Sequence, residues 1–414
     1  MDEILDALLD AFGKRADPYR FATELIKRKA AERGLVLSKR HLQKVEAALR
    51  GEATGEFVVH MPGKGPSREF KIEFEEGDFR EIEGRVQRVV DQLPEVIGYL
   101  IDVTTNYMIR TLKRTWAKEA RRQQREGRRF ARGLRKRWSH PLQLLAMILT
   151  IAREKGKEVN DALRGEPDPM ALHTVEALTR LHARSCQVAG EVLALLCEGF
   201  ADGALARWRT QHEISVVARV VRQNGEACAE RYLAHAAVES YRAAVRYQRH
   251  CSALGYDQLS DAEMRRLSES KKAAVERYGG GFDEDYGWAA PYVNGKRPTF
   301  AGLEDLIGAS HLRPYYKMAS GNVHPSAKGI QFALGLKGDE GILLAGPSHI
   351  GLADPGQLSA IALAQGTITL LSLETTLDNA VASNVLLQMA KEAAEAFCSV
   401  DPWPDGPPEP QAGC

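Results

Sequence analysis

The sequence predicts a mainly α-helical protein, an antiparallel helical bundle with one or two short β-hairpins. Two observations carry this prediction. Apolar residues recur at three- and four-residue steps over most of the chain, and Gly and Pro cluster in a few short breaks. With 414 residues and 44% hydrophobic content, the chain is long enough to bury a large core. We therefore expect a globular helical protein.

The first 80 residues alternate between helix and strand patterns. Amphipathic helices are predicted at about residues 2–13, 18–33 and 39–50, the third of them after a Ser38 cap. The β-prone runs GEFVVHM and REFKIEFEE flank the turn PGKGPS, which indicates a hairpin. The lysine in that turn is not part of a G-x-x-x-x-G-K-[ST] phosphate loop, so a plain turn is expected.

From about residue 79 to residue 254 the pattern is helical, as in an antiparallel bundle. Breaks are predicted near Ser139–Pro141, Gly165–Pro169, Gly199–Gly203 and Asn224–Gly225. The composition then predicts a long loop over 279–298, a short helix over 300–308, a second hairpin over 330–344, a last long helix over about 356–397 and a disordered Pro-rich tail.

These elements suggest four regions along the chain. Residues 1–78 form a small helical and hairpin region, and residues 79–165 form long helices. Residues 166–400 form a helical bundle domain, and residues 401–414 form the tail.

Composition limits the classes of site and location. The six cysteines are scattered, with no C-x-x-C pair, so we expect no metal site, no cofactor and no disulfide framework. The N-terminus lacks the basic and apolar regions of a signal peptide, and no apolar run is long enough to span a membrane. A cytoplasmic protein without a membrane partner is expected, and a homo-oligomer remains open.

One helical segment, RWRTQHE, places polar residues at the start of an otherwise apolar helix. Residues three and four apart share a helix face, so Arg209, His212 and Glu213 should cluster, whereas Arg207 lies about 140° around the helix from His212. Glu213 borders an apolar stripe. We expect it to be mostly buried and paired with Arg209 or Arg231.

Two further segments carry polar residues in similar settings. In ERYLAHAAVESY, Arg231, His235 and Glu239 follow each other at four-residue steps. In SGNVHPS, His324 lies in a turn near Ser320, where an imidazole can reach solvent. We expect the loop around Trp288 to fold over that turn and leave a groove in which a single strand stacks on Trp288 or Tyr316.

The segments DGALARWRTQHEISVVA, AERYLAHAAVES, YGWA and YYKMASGNVHPSAKGI occur in this order. Together they resemble an uncharacterised bacterial family, domain of unknown function 5677, over roughly residues 180–335. The resemblance implies an α-helical domain without an assigned reaction. The family's hallmark positions correspond here to Arg207, Arg209, His212, Glu213, Arg231, Tyr232, His235, Trp288, Tyr316, Ser320 and His324.

The chemistry favoured for this constellation is metal-independent RNA cleavage, which resembles that of the small helical toxin and antiviral nucleases of the HEPN group. In those enzymes an arginine and a histidine a few residues apart act inside a helical bundle, and Arg207-x4-His212 fits this spacing. The histidine would act as general acid or base and the arginine would hold the phosphate. Candidate catalytic residues are His324, His212, Arg207, Arg209 and Glu213; candidate supporting residues are Arg231, His235, Ser320, Tyr316 and Trp288.

Two alternatives stay open. Arg135-x4-His140 fits the same spacing within a basic segment. The polar groups could also be buried ion pairs and core hydrogen bonds that fix helix packing. The competing function is a non-catalytic helical protein that binds nucleic acid or senses a partner.

A basic segment between Arg110 and Arg137 contains thirteen Lys or Arg and two Glu, although the whole chain has a net charge of only +1. One helical stripe is entirely positive: Arg114, Lys118, Arg121, Arg125, Arg129, Arg132 and Lys136. Charge runs that are merely solvated usually alternate in sign, and this one does not. We therefore expect nucleic acid, RNA in the favoured hypothesis, to bind here through its phosphates with little sequence preference.

Overall fold

The computed structural model describes residues 10–51, 73–165, 168–295, 297–324, 327, 329–336 and 343–400. The fold is mainly α. The helices, in chain order, are α1 (Pro18–Glu32), α2 (Lys39–Leu49), α3 (Glu76–Gly165), α4 (Leu172–Cys197), α5 (Ala201–Ala234), α6 (Ala236–His250), α7 (Asp261–Tyr278), α8 (Phe300–Leu306), α9 (Arg313–Val323), α10 (Ala353–Leu371) and α11 (Leu377–Val400).

The chain forms two compact units, Met1–Arg122 and Gln123–Cys414, and the boundary falls within α3. In the first unit, α1 packs on α2 through a small apolar cluster that includes Ile26 and Val45. The side chain of Ser38 accepts a hydrogen bond from the backbone N–H of His41, as the predicted cap requires.

The second unit is a helical bundle with α5 at its centre. Helix α5 packs against α4, α8, α9 and α10, and α10 also packs against α4 and α11. The break between α4 and α5 lies where the sequence predicts it. Gly199 there has φ of 81°, and a Cβ atom would lie 2.7 Å from the carbonyl oxygen of Ser348, so the tight turn requires glycine.

The predicted break at Ser139–Pro141 is wrong, because α3 continues through it to Gly165. Proline inside a helix costs about 3 kcal/mol. Leu134, Trp138 and Leu145 flank Pro141 and are fully buried in the main core. Burial of each such side chain contributes roughly 1.5–3 kcal/mol. The three contributions together outweigh the cost of the proline.

Two other predicted boundaries need correction or refinement. At Asn224–Gly225 the chain kinks without leaving α5, and Gly225 takes φ of 71°. The single last helix predicted over 356–397 is two helices, α10 and α11. The hydroxyl of Thr376 accepts a hydrogen bond from the backbone N–H of Asn379 at 3.1 Å, which caps the start of α11.

The described residues contain no β-strand. The first predicted hairpin lies mainly in residues 52–72, outside the described part of the chain, as does the predicted disordered tail. The second is not formed by the described residues of 330–344. Gly329–Gln331 forms a 3₁₀ turn, and the backbone N–H of Leu334 donates to the carboxylate of Asp202 at 3.1 Å. The N–H of Leu334 thus bonds to a side chain, whereas in a hairpin it could pair with the backbone of the opposite strand. Among the described helices, none is long and apolar enough to cross a membrane.

Candidate functional site

A fully buried carboxylate lies beside α5. Glu304 on α8 is inaccessible to solvent, and its Oε1 is 2.7 Å from Nε2 of His212. Its other oxygen contacts the guanidinium of Arg313, at the start of α9. Burial lowers the pKa of His212 below its ordinary value, although the hydrogen bond with Glu304 opposes this. His212 is therefore neutral near pH 7, and its Nε2–H donates to the carboxylate.

Sequence reasoning missed Glu304. It lies in FAGLEDLI, where Phe300, Leu303 and Ile307 form the buried face of a short helix. A carboxylate on such a face needs partners in the interior. That pattern was the available signal, but the sequence could not show that His212 and Arg313 would supply the partners, because both come from other helices.

A second cluster, partly exposed, lies one residue further along α5. The hydroxyl of Tyr316 donates to Oε1 of Glu213 at 2.7 Å, and Arg209 donates both to Glu213 at 3.2 Å and to the Tyr316 oxygen at 3.0 Å. Burial raises the pKa of Tyr316, and the hydrogen bond with Glu213 adds to this. The predicted pairing of Glu213 with Arg209 is present. The side chain of Glu213 is 34% exposed, so it is mostly but not fully enclosed.

A pocket of about 440 Å³ opens beside Glu213. Its charged lining residues are Glu213, Glu239, Asp285 and Arg242, three carboxylates against one guanidinium. Arg242 is itself bonded to Asp285 at 2.7 Å. Such a lining repels phosphate groups. This pocket therefore does not suit a nucleic-acid backbone.

Tyr286 also lines this pocket. Its φ of 58° lies in the left-handed region, which costs a non-glycine residue roughly 1–2 kcal/mol. Burial raises the pKa of its hydroxyl to about 12, so the hydroxyl keeps its proton at neutral pH.

The segment around Trp288 packs on Arg231 and His235, the residues predicted to cluster with Glu239. Arg231 donates to the carbonyl oxygens of Trp288 and Gly287, at 2.9 and 3.3 Å. His235 is buried, with Nε2 3.1 Å from the carbonyl oxygen of Glu284 and Nδ1 3.3 Å from Glu239. That contact lowers the pKa of Glu239. Arg231 and His235 thus hold this segment against the bundle through hydrogen bonds to its backbone.

The expected stacking surface is absent from this part of the structure. Trp288 is only 3% exposed and meets Tyr232 edge to face, at 5.1 Å between ring centroids. Tyr316 is also buried, between Phe300 and the guanidinium of Arg209. The prediction of a groove in which a single strand stacks on these two rings is therefore wrong, because both rings are packed in the core.

Arg207 and His212 do not converge. Nε of Arg207 lies 2.5 Å from Oε2 of Glu191 on α4, whereas His212 faces Glu304 on α8. This follows from the 140° between the two positions on the helix. Arg135 and His140, the other pair with this spacing, are both exposed on α3.

His324 ends α9 and is exposed. It lies eight residues beyond Tyr316, about 12 Å along the helix axis, and it does not line the pocket beside Glu213. Ser320, one turn before it, donates its hydroxyl to the carbonyl oxygen of Tyr316 at 2.7 Å. Of the proposed catalytic residues, Arg209 and Glu213 are therefore bonded to each other, whereas Arg207 and His212 face other partners and His324 lies at the end of α9.

The basic segment is exposed throughout. Each of the thirteen Lys and Arg residues from Arg110 to Arg137 is exposed on α3. Within the first unit, Arg122 donates to both oxygens of Glu119, at 3.0 and 2.6 Å. Within the second unit, seven of these cations lie between Arg125 and Arg137, with Glu126 as the acidic residue among them.

No group of three or more potential metal ligands was found among the described residues. Residues 175–342 match the model of a protein family described as a family of unknown function (DUF5677). The predicted resemblance over roughly 180–335 is thereby confirmed. Comparisons with curated proteins and with solved structures found no match. The basic part of α3 lies outside the matched residues.

Proposed function

We propose that this protein binds nucleic acid through the basic face of α3, with little sequence preference. The observation that carries the proposal is the exposure of seven cations between Arg125 and Arg137 in the second unit, where Glu126 is the acidic residue. Residues Arg125, Arg129, Arg132 and Lys136 follow each other at three- and four-residue steps and share one face. Phosphates spaced along a strand would neutralise such a face and release their counterions.

The free helix is strained by its own charge. Like charges at three- and four-residue spacing each destabilise a helix by roughly 0.2–0.5 kcal/mol. Bound phosphates would remove this repulsion, so nucleic acid should raise the thermal stability of the protein. A purely structural role would have been better served by alternating charges.

Two arrangements in the matched family region argue against RNA cleavage there. His212 and His235 are buried and hydrogen-bonded to other groups of the bundle. The pocket beside Glu213 is acidic. Neither arrangement presents an imidazole and a free guanidinium to the same phosphate.

Fluorescence anisotropy with a labelled single-stranded RNA and a labelled DNA duplex tests the proposal. The variant replaces Arg125, Arg128, Arg129 and Arg132 by Ala. A matched control removes four exposed arginines from α6 and α7, where it changes the net charge equally: Arg246, Arg249, Arg265 and Arg266. The α3 variant should lose most of its affinity for both ligands and the control should keep it. An equal loss of affinity in the two variants would show that only the net charge of the protein matters, and would contradict the proposal.

The second candidate function is metal-independent RNA cleavage by a toxin-like effector, as in bacterial antiviral defence. What supports it is the exposed imidazole of His324 at the end of α9, where a proton can be exchanged with a bound strand. Its test is the loss of RNA cleavage in His324→Ala.

A further inference from the structure

Helix α3 carries a second exposed surface, apolar and separate from the basic face. Between Ile97 and Trp116, in the first unit, nine apolar side chains are each 39–69% exposed: Ile97, Tyr99, Ile101, Val103, Tyr107, Met108, Ile109, Leu112 and Trp116. Monomeric proteins rarely expose contiguous apolar patches of more than a few hundred Å². Something is therefore expected to cover these residues.

Most of these side chains lie toward one face. At 100° per residue, Ile97, Ile101, Met108 and Leu112 fall within about 60° of each other. Tyr107 flanks them on one side and Ile109 and Trp116 flank them on the other, whereas Tyr99 and Val103 point nearly the opposite way. The seven residues of this face, here called the α3 apolar face, are Ile97, Ile101, Tyr107, Met108, Ile109, Leu112 and Trp116.

The size of this face fits a protein partner. At the exposed fractions seen here, its seven residues present roughly 800 Å², which is what each partner buries in a complex of standard size. Contiguous apolar patches on monomeric proteins are usually smaller, at roughly 300–600 Å² for the largest one.

Charge along α3 identifies the partner as a second copy of the chain. Between Arg88 and Asp102 there are one basic and three acidic residues, a net charge of −2. From Arg110 to Lys118 there are four basic residues and no acidic one, a net charge of +4. Two parallel copies would place these positive segments side by side. Two antiparallel copies place each positive segment beside the partner's negative one.

We propose that the chain forms a homodimer through the α3 apolar face, with the two α3 helices antiparallel and centred near Thr104 and Thr105. In this register Ile97 lies opposite Leu112, and Ile101 lies opposite Met108. Leu93 lies opposite Trp116, so the contact extends over 24 residues, or about 36 Å. The contact is isologous, as in most closed dimers.

Light scattering coupled to size exclusion tests the dimer on the full chain. Wild type should have about twice the 45.7 kDa mass of one chain. The variant Ile101→Glu with Leu112→Glu places two charges in the contact and should have the mass of one chain. The matched control, Tyr99→Glu with Asn106→Glu, adds the same charge on the opposite face and should stay dimeric.

Circular dichroism of each variant shows whether it has kept its helices, so that loss of the dimer is not confused with unfolding. A wild type that stays at the mass of one chain up to its solubility limit overturns the proposal. A dimer that survives Ile101→Glu with Leu112→Glu also overturns it. Monomeric wild type that floats with vesicles of anionic lipid would assign the face to a membrane surface instead.

Cross-linking tests the direction of the helices. Chains carrying Ile97→Cys are mixed with chains carrying Leu112→Cys, oxidised, and mapped by peptide mass. An antiparallel pair gives the 97–112 disulfide in preference to 97–97 and 112–112. Preference for the like pairs would show a parallel arrangement and contradict the charge argument.

Discussion

Replacement of Glu304 by Ala should be among the most destabilising single changes in the second unit. Glu304 is fully buried and is bonded to His212 and Arg313, which come from α5 and α9. Glu304→Ala leaves the buried Nε2–H of His212 without an acceptor and the guanidinium of Arg313, which is 26% exposed, without its carboxylate. Together these losses should cost about 2–4 kcal/mol. Glu213 also has two partners, Arg209 and Tyr316, but its side chain is one-third exposed. Water can replace part of what it loses, so Glu213→Ala should cost about 1–2 kcal/mol.

Urea denaturation at pH 7.5, followed by circular dichroism, measures both variants under the same conditions. A free energy of unfolding that is clearly lower for Glu304→Ala than for Glu213→Ala would support the assignment of Glu304 as the buried centre of this network. A free energy of unfolding for Glu304→Ala within about 1 kcal/mol of wild type would refute the reasoning, since the buried Nε2–H of His212 would be left without an acceptor.

Three further changes have defined outcomes. His324→Ala should abolish any RNA cleavage, a loss of at least about 10²-fold, while RNA binding persists; intact RNA with wild type would remove the second candidate function. Burial lowers the pKa of His182 from 6.5 to about 4, so its contribution to stability is fully present above pH 6.5 and is lost as the pH falls toward 4. Wild type should therefore lose roughly 2–3 kcal/mol more than His182→Asn between pH 7 and pH 4.5, and equal losses would contradict this. Gly156→Ala places a Cβ atom 2.3 Å from the ring of His182 and should lower the melting temperature, whereas Gly127→Ala on the same helix meets nothing within 4 Å and should raise it slightly.

Much of the fold follows from local pattern. The breaks between α3 and α4 and between α4 and α5 lie where Gly and Pro cluster, and the short helix α8 lies at its predicted position. The continuation of α3 through Pro141 could not be predicted locally, because it depends on the burial of Trp138 and Leu145 in the bundle. Tertiary burial overrides a local breaker when the flanking side chains are large and fully enclosed.

The site was predicted less well than the fold. Spacing along α5 correctly placed Arg209 beside Glu213, since that contact lies within one helix. It could not show that His212 would face Glu304, or that Trp288 would be enclosed, because those contacts join segments far apart in the chain. The exposure of the α3 cations was predictable, because like charges three and four residues apart repel each other and are best kept in water.

The dependence of nucleic-acid affinity on salt tests the central claim most directly, because each phosphate contact contributes about 0.7–0.9 to the slope of log affinity against log salt. Wild type should show a steep slope with both RNA and DNA. Replacement of Arg125, Arg128, Arg129 and Arg132 by Ala should reduce that slope by up to about 2.8 units with single-stranded RNA and about 3.6 units with duplex DNA. A slope that is the same in wild type and in this variant would show that the basic face of α3 does not contact phosphates, and would contradict the account.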